Sequence, residues 1–135
     1  MRSLMPRGPL PDEIQRFLAA PRPAVVAWLR DDGGPATAAT WYRFADEVVQ
    51  LSMQADGRRV RQLRRDPRLA LTVLGDSWYT QVSLECTAKS IVEDRAFARL
   101  DELAVHYTGE PYSDHETPSM AVTAVVERWH TFGEL

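Results

Sequence analysis

The chain has 135 residues, enough for one domain with a modest core, and its 44% apolar and 26% charged content is ordinary for a globular protein. The net charge of −3 hides an asymmetry, because residues 58–68 carry six Arg and one Asp, whereas the remainder carries ten basic and eighteen acidic residues. Positive charge confined to one short segment of an acidic chain argues against a general nucleic-acid-binding surface and indicates a local site for an anion.

The cysteine and histidine content argues against a metal or disulfide scaffold. Cys86 is the only cysteine, so one chain cannot form a disulfide or an iron–sulfur cluster. The three histidines, His106, His115 and His130, show no metal-ligand spacing, and we expect no metal site. Residues 1–13 contain prolines and charges where a signal peptide needs an apolar run, and no segment approaches the roughly 18 apolar residues of a membrane helix. We therefore expect a cytoplasmic protein with no membrane partner.

The amino-terminal part of the chain is predicted to contain an arm, a helix and a β-hairpin. Residues 1–10 are expected to form a loose arm. A helix begins at residues 11–13, where proline and acidic residues occupy the first turn, and it ends before the next prolines. Residues 24–30 and 36–43 are predicted strands, and the DDGG sequence at 31–34 is typical of the hairpin turn that joins them.

The rest of the chain alternates further strands with two helices. A short arginine-rich helix follows the turn at Asp56-Gly57 and stops at Pro67. A second helix covers residues 95–107, where apolar residues recur at helical spacing, and a polar loop follows it. The predicted strands in this part are residues 47–53, 69–74, 78–92, with a bend near Cys86, and 119–129.

These elements predict a mainly β protein of the α+β type, with six antiparallel strands and about three short helices. Short antiparallel neighbours joined by hairpin turns favour a closed barrel over a doubly wound sheet. No internal repeat, low-complexity tract or linker divides the chain, so we expect a single domain over residues 1–135.

The arginine-rich helix carries the strongest functional signal. Arg58 and Arg59 fall in its first turn, where cations oppose the positive end of the helix dipole at a cost of roughly 0.3–1 kcal/mol each. A bound anion offsets this cost, because free N–H groups and guanidinium groups both point at it. We therefore interpret the strand-to-helix turn as a phosphate site. The later arginines of the helix are interpreted as a solvated face, with Val60 and Leu63 turned inward.

Several segments together resemble a known family. They are Gly34-Pro35, Trp41-Tyr42, Ser52-Met53, Arg58 to Arg68, Leu69–Leu74, Trp78-Tyr79, YTGEPY at 107–112 and ERWHTFG at 127–133. In these segments the chain resembles the split β-barrel flavin and deazaflavin oxidoreductases, the pyridoxamine 5′-phosphate oxidase-like group. The branch it is most similar to comprises small reductases that use the deazaflavin coenzyme F(420). The fold implied is a six-stranded antiparallel split β-barrel that binds its cofactor within this one domain.

The resemblance implies a homodimer with two equivalent cofactor sites at the subunit interface. By resemblance, Ser52 and the adjoining Met53, with Gln54, Arg58 and Arg59, match the segment that holds the cofactor phosphate; relatives often have Lys where Arg59 stands. Thr40 and Trp41 match the strand that lies along the ring system, and Tyr79 and Gln81 match the strand that reaches the cofactor from the partner subunit. Tyr107, Tyr112 and His130 are further candidates for the edge of the pocket. Cys86 departs from the pattern, because relatives commonly have Gly there.

The expected function is an oxidoreductase that binds F(420) and transfers a hydride between it and a small organic acceptor. No catalytic residue is assigned, since in flavin-type chemistry the cofactor carries the hydride. An FMN-dependent oxidase or reductase of the same fold stays open, because both cofactors share a ribityl phosphate. The acidic tail of F(420) would call for further basic groups, for which Arg64 or Arg65 are candidates. A non-enzymatic flavin- or deazaflavin-binding protein is the remaining alternative.

Overall fold

Seven antiparallel strands form one sheet in the computed structural model, which describes residues 8–135. Three α-helices and one short 3-10 helix accompany the sheet. In chain order the elements are α1 (Asp12–Ala19), β1 (Ala24–Leu29), β2 (Pro35–Thr40), β3 (Arg43–Ala45), β4 (Val48–Gln54), α2 (Arg58–Arg65), β5 (Arg68–Leu74), β6 (Gln81–Glu93), the 3-10 helix (Arg95–Phe97), α3 (Ala98–Thr108) and β7 (Ser119–Phe132). None of these helices is long and apolar enough to cross a bilayer.

The strand order is β2-β1-β5-β6-β7-β4-β3, so β2 and β3 are the two edges of the sheet. These two edges follow each other in the chain and are joined by only Trp41 and Tyr42. Three consecutive Cα–Cα steps reach at most about 11 Å, so the sheet must roll until its edges approach. In the part of the chain that the structure describes, no ladder joins β2 to β3. The sheet is therefore rolled and open, and the closed barrel is not confirmed.

The prediction of six strands is wrong, because the segment predicted as one strand at 36–43 divides into β2 and β3. Tyr42 is fully buried, and its hydroxyl lies 3.0 Å from the carbonyl oxygens of both Leu18 and Ala20. Its backbone N–H donates to the hydroxyl of Tyr107 at 3.3 Å. These contacts tie Tyr42 to other parts of the chain, and its amide is consequently not available to a ladder.

The core lies inside the rolled sheet and beneath α1 and α2. Alternate residues of the strands point inward, as they do in β5, where Leu69, Leu71 and Val73 are buried. Val60 and Leu63 of α2 are buried as predicted. The apolar face of α1 is also buried, and so is Leu10 at the end of the predicted arm. Residues 1–7 of that arm lie outside the described residues.

The long strand β6 begins later than predicted, because Trp78 and Tyr79 belong to the turn that precedes it. Its pairing with β7 shifts register between Glu85 and Cys86, where Glu127 is the extra residue on β7. Such a bulge bends the ladder locally and increases its twist. The irregularity near Cys86 is therefore a bulge whose extra residue lies on β7, and the buried side chain of Cys86 is the residue of β6 beside it.

Helix α3 is fixed over β4 and β7 by two buried or half-buried charged residues. The carboxylate of Asp94 accepts the backbone N–H groups of Arg99 at 2.8 Å and Leu100 at 3.0 Å, which satisfies donors in the first turn of α3. The guanidinium of Arg99 donates to the carbonyl oxygens of Leu51 at 3.2 Å and Val122 at 2.7 Å. The predicted helix at 95–107 is thus a 3-10 turn followed by α3 at 98–108.

Candidate functional site

A cavity of about 770 Å³ opens between the carboxyl end of β4, the beginning of α2, the end of β2 and helix α3. Its volume lies within the range of roughly 300–1,000 Å³ that small-molecule sites occupy. Three of these elements meet there because β4 leads directly through the turn at residues 55–57 into α2, and because Asp94 and Arg99 hold α3 across β4. Tyr112, Asp114 and Thr117 of the loop after α3 line the outer rim.

One wall of the cavity is aromatic. The rings of Trp41 and Tyr107 stack with centroids 5.4 Å apart and an interplanar angle of 15°, and Tyr112 meets Trp41 edge-on at 6.0 Å. The Tyr107 hydroxyl donates to the carbonyl oxygen of Arg22 at 2.7 Å and accepts the N–H of Tyr42. Burial raises the pKa of Tyr107, so this hydroxyl stays protonated near neutral pH. A flat, fixed aromatic wall of this kind suits a planar conjugated ligand.

The floor of the cavity carries two hydroxyl groups. The Oγ atoms of Ser52 on β4 and Ser119 on β7 are 2.8 Å apart, and Ser119 Oγ donates to the buried Asp94 carboxylate at 3.4 Å. A hydroxyl has one proton to donate, and Ser119 gives it to Asp94, so Ser119 accepts a hydrogen bond from Ser52. Beside them, Met53 is buried and Gln54 is exposed at the mouth.

Arg59 supplies the positive charge of the cavity. Its side chain is half-buried and lines the cavity, whereas Arg58 is exposed to solvent. Among residues 8–135 no carboxylate forms an ion pair with Arg59. Burial lowers the pKa of its guanidinium, which nevertheless stays charged near neutral pH.

The helix end beside Arg59 adds to this positive potential. Helix α2 begins after Gly57 without a side-chain cap, and its first turn holds no acidic residue. Its first N–H groups are therefore not satisfied by a side-chain cap, and the helix dipole adds partial positive charge at the same place. Because no carboxylate among the described residues forms an ion pair with Arg59, the corner of the cavity where β4 meets α2 favours an anionic group.

The structure brings six of the nine predicted binding residues together in this cavity. They are Thr40, Trp41, Ser52, Met53, Gln54 and Arg59. Arg58, Tyr79 and Gln81 do not line it. Tyr79 is 76% exposed in the turn before β6, and Gln81 is the first residue of β6. The resemblance places Tyr79 and Gln81 in the cavity of a second copy of the chain. Their predicted contact with the cofactor is therefore a matter of the dimer and stays a prediction.

The remaining candidates divide clearly. Tyr107 and Tyr112 line the cavity, while His130 lies exposed on β7 and does not.

Sequence reasoning missed Ser119, which the pairing of Ser119 with Gln54 brings to the cavity floor. Its position at the start of the predicted last strand was visible in the sequence. Its place in the cavity, however, depends on the register of that strand with β4, which the sequence does not show.

The arginines considered for an acidic tail are engaged elsewhere, since Arg64 donates to the carbonyl of Ile91 at 3.4 Å and Arg65 pairs with Asp31 at 3.1 Å.

The chain belongs to the pyridoxamine 5′-phosphate oxidase family, whose model matches residues 10–133. The family includes flavin-type oxidoreductases. No curated protein sequence shows significant similarity to the chain.

Solved structures share the fold across most of the chain. A structure described as an F(420) reductase is 22% identical, with 90% of this chain and 98% of that chain covered and a TM-score of 0.80. The conserved hypothetical protein Rv2991 from Mycobacterium tuberculosis is 28% identical, with coverages of 97% and 88% and a TM-score of 0.73. A putative pyridoxamine 5′-phosphate oxidase from Listeria innocua is 14% identical, with coverages of 89% and 95% and a TM-score of 0.70.

Proposed function

We propose that the chain is an oxidoreductase that binds the deazaflavin coenzyme F(420) and passes a hydride between it and a small organic acceptor. Membership of a flavin-type oxidoreductase family supports the class of reaction, and the fold shared with an F(420) reductase supports the choice of cofactor. The observation that carries the proposal is Arg59, a half-buried guanidinium that faces the cavity with no carboxylate partner in the described part of the chain.

The residues of the cavity fit a planar ring system that carries a phosphate. Trp41 and Tyr107 provide the flat wall for the ring, and Arg59 at the start of α2 provides charge for the phosphate. These two features lie in one cavity of about 770 Å³, which is large enough for a tricyclic cofactor. In this arrangement Ser52 and Gln54 lie beside Arg59 at the phosphate end, and Thr40 lies beside Trp41 at the ring end.

The protein's own part in the reaction is binding and orientation. When bound, the cofactor supplies the hydride chemistry, so no side chain of the protein has to carry the hydride. Arg59 would anchor one end of the ligand, Trp41 would fix the plane of the other end, and Met53 with Leu103 would keep water from the inner wall, since both are buried there. The outer mouth stays accessible to a substrate.

A second copy of the chain is part of the proposal. The side chains of Ala27 on β1 and of Ala70 and Thr72 on β5 lie on the face of the sheet opposite the core. Because these side chains are small, this face is flat and a second chain could approach it closely. Trp78 is 80% exposed and Tyr79 is 76% exposed in the turn before β6. Large exposed aromatics are the side chains that anchor protein interfaces. The homodimer would use them at its seam, with Tyr79 and Gln81 approaching the partner's cavity.

Sedimentation measurements test the dimer. The wild-type chain is expected to sediment at twice its monomer mass of 15.3 kDa. Replacing both Trp78 and Tyr79 by Ser is expected to shift it to the monomer. Replacing Val105 by Ser, at an exposed position of α3 that does not line the cavity, should leave the dimer intact. A wild-type monomer at micromolar concentration would remove this part of the proposal.

One observation favours FMN as a second candidate cofactor. The acidic tail of F(420) calls for free basic groups, yet Arg64 and Arg65 already contact Ile91 and Asp31. A cofactor without that tail needs only the phosphate corner that Arg59 provides. With FMN bound, the chain would act as an oxidase or reductase. If the bound cofactor transfers no hydride to any acceptor, the chain would instead be a flavin- or deazaflavin-binding protein.

Titration of dialysed protein with F(420) and with FMN tests the proposed function. Arg59→Ala is expected to weaken binding of the preferred cofactor about tenfold or more, since a charge-assisted contact is worth roughly 1.5–3 kcal/mol. Arg61→Ala on the exposed side of the same helix is the matched control and should change affinity less than twofold. The protein is then assayed with each reduced cofactor as the hydride donor and a panel of quinones and enones as the acceptors. Equal affinity of the Arg59→Ala variant and the wild type would contradict the proposal.

A further inference from the structure

Two residues of α2 reach the same side chain on β1. Arg59 and Gln62 are three positions apart, so they lie on one face of the helix. The guanidinium carbon of Arg59 lies 4.7 Å from the centroid of the Trp28 ring. The indole N–H of Trp28 donates to Gln62 Oε1 at 2.7 Å. Trp28 therefore receives the guanidinium on its ring and the amide oxygen at its edge.

The ring of Trp28 is held in place by these contacts and by its strand. Trp28 pairs with Leu69 of β5 and with Ala36 of β2, which sets the direction of its side chain. An indole has a single hydrogen-bond donor, and Gln62 accepts it, so the ring is held against rotation. The orientation of the Trp28 ring is thus set before any ligand arrives.

A guanidinium over such a ring is held without using its hydrogen-bond donors. The attraction is between the positive charge and the electron-rich face of the ring, and it grows as the pair loses contact with water. The N–H groups of Arg59 at the edge of its plane then stay available for a planar, two-point contact with a phosphate or carboxylate. The hydrogen bonds found among residues 8–135 occupy none of these donors.

We propose that Trp28, held by Gln62, is a positioning residue that presents the Arg59 guanidinium edge-on to the phosphate ester of the ligand. This inference rests on the proposed function, because it assumes that a phosphorylated ligand occupies the cavity. The inference requires a planar group with two parallel donors at position 59, which a positive charge alone does not supply. Lys at position 59 keeps the charge but cannot stack as a plane or offer two parallel donors, so Arg59→Lys is not a conservative change in this chain.

The test compares FMN with riboflavin, which differ only in the phosphate. The ratio of their dissociation constants measures the preference for the phosphate and is insensitive to general loosening of the cavity. Trp28→Leu is expected to reduce this ratio by about 3- to 30-fold, the range that a partly desolvated cation–π contact supports. Trp28→Phe retains a ring but loses the hydrogen bond to Gln62, so its preference is expected to lie between those of the wild type and Trp28→Leu. Trp129→Leu, at a half-buried tryptophan that packs on the core and does not line the cavity, is the matched control and should leave the ratio unchanged.

A second pair of variants covers the case in which Trp28→Leu does not fold. Gln62→Leu removes the acceptor of the indole N–H and keeps a good helix former. Arg59→Lys keeps the charge. Each is expected to lower the FMN-to-riboflavin preference at least threefold, and in the Gln62→Leu background the change to Lys should cost less than it does alone.

The outcomes separate this inference from the proposed function. A wild-type protein that prefers FMN, loses the preference in Arg59→Ala and keeps it in Trp28→Leu and Gln62→Leu would overturn the positioning role and leave the phosphate site standing. The same comparison is made for F(420) and its phosphate-free ring-and-ribityl fragment. A wild-type protein that prefers the phosphorylated ligand in neither pair would overturn both the positioning role and the proposed function. Loss of preference in the Trp28 and Gln62 variants with riboflavin affinity unchanged would support the inference.

Discussion

The ring of Trp41 stacks on the ring of Tyr107 with centroids 5.4 Å apart, although the two residues are far apart in the sequence. The contact joins the linker between the two edge strands to the end of α3. It also explains why that linker leaves the sheet, because the hydroxyl of the same Tyr107 accepts the N–H of Tyr42. One tyrosine thus shapes the roll of the sheet and the wall of the cavity together.

Replacing Tyr107 with Phe separates these two contributions. The ring of the wall is kept, but the N–H of Tyr42 and the carbonyl of Arg22 lose their partner. We expect the free energy of unfolding in urea to fall by about 1–3 kcal/mol, the cost of leaving buried groups unsatisfied, with cofactor affinity within about twofold. Tyr112→Phe is the control, because no hydrogen bond of its hydroxyl occurs in the described structure. Equal stability of the Tyr107 and Tyr112 variants would contradict this account.

Gly133 holds the turn that carries the exposed aromatics. It adopts φ +80°, and a Cβ built there would clash with the carbonyl oxygen of Tyr79. Gly109 has a similar φ of +86° with nothing within 4 Å of its Cβ position. Gly109→Ala should therefore cost only the left-handed strain, about 1–2 kcal/mol, whereas Gly133→Ala should cost about 1–3 kcal/mol more because backbone must move. Urea unfolding of both variants measures the difference, and equal costs would contradict the close approach of the Tyr79 backbone to Gly133.

The thiol of Cys86 is expected to be inert in the folded protein. Burial, and then the negative charges of Glu127 and Glu85, raise its pKa from an ordinary value of 9.0 to about 12. The thiolate fraction near neutral pH falls about a thousandfold, and the thiolate is the reactive form. Labelling with a disulfide reagent at pH 8 should be negligible in native protein and rapid in urea. Labelling of native Cys86 at the unfolded rate would contradict the burial.

The loop at the rim of the cavity should be insensitive to mild acid. The carboxylate of Asp101 accepts the side chain of His115 at 2.8 Å and the N–H of Tyr112 at 3.0 Å, and chiefly the hydrogen bond from His115 lowers its pKa below 3.8. A carboxyl whose folded pKa is lowered stabilises the folded state above its unfolded pKa and loses that contribution as pH falls through the folded value. Hydrogen exchange of the Tyr112 amide should therefore remain protected down to about pH 4.

Asp101→Asn is the control for this pH dependence. It removes the charge but leaves an oxygen, so protection of the Tyr112 amide should fall at every pH and lose its acid transition. Loss of protection in the wild-type protein between pH 7 and pH 5 would show that another group controls the loop.

Local features of the fold were readable from the sequence, and long-range ones were not. The inward faces of α1 and α2 follow from helical spacing, and residues such as Val60 and Leu63 are buried as that spacing predicts. The division of the predicted strand at Trp41 depends on a hydrogen bond to Tyr107, a residue 65 positions away. Neither propensity nor periodicity contains that information, so six strands were predicted where seven exist.

The candidate site shows the same division. Arg59 was identified from the conflict between its charge and the helix dipole, which is a local property, and the structure places it in the cavity. Ser119 and Trp28 were missed because their relation to β4 and α2 arises only from strand pairing and packing. The places of Tyr79 and Gln81 depend on a second copy of the chain and stay predictions.

A crystal structure of the protein with its preferred cofactor tests the central claim most directly. The account predicts the phosphate within hydrogen-bonding distance of the Arg59 guanidinium, the ring system beside Trp41, and a second copy of the chain closing the cleft near Tyr79. A complex in which Arg59 points into solvent, with the ligand bound outside the cavity, would contradict it.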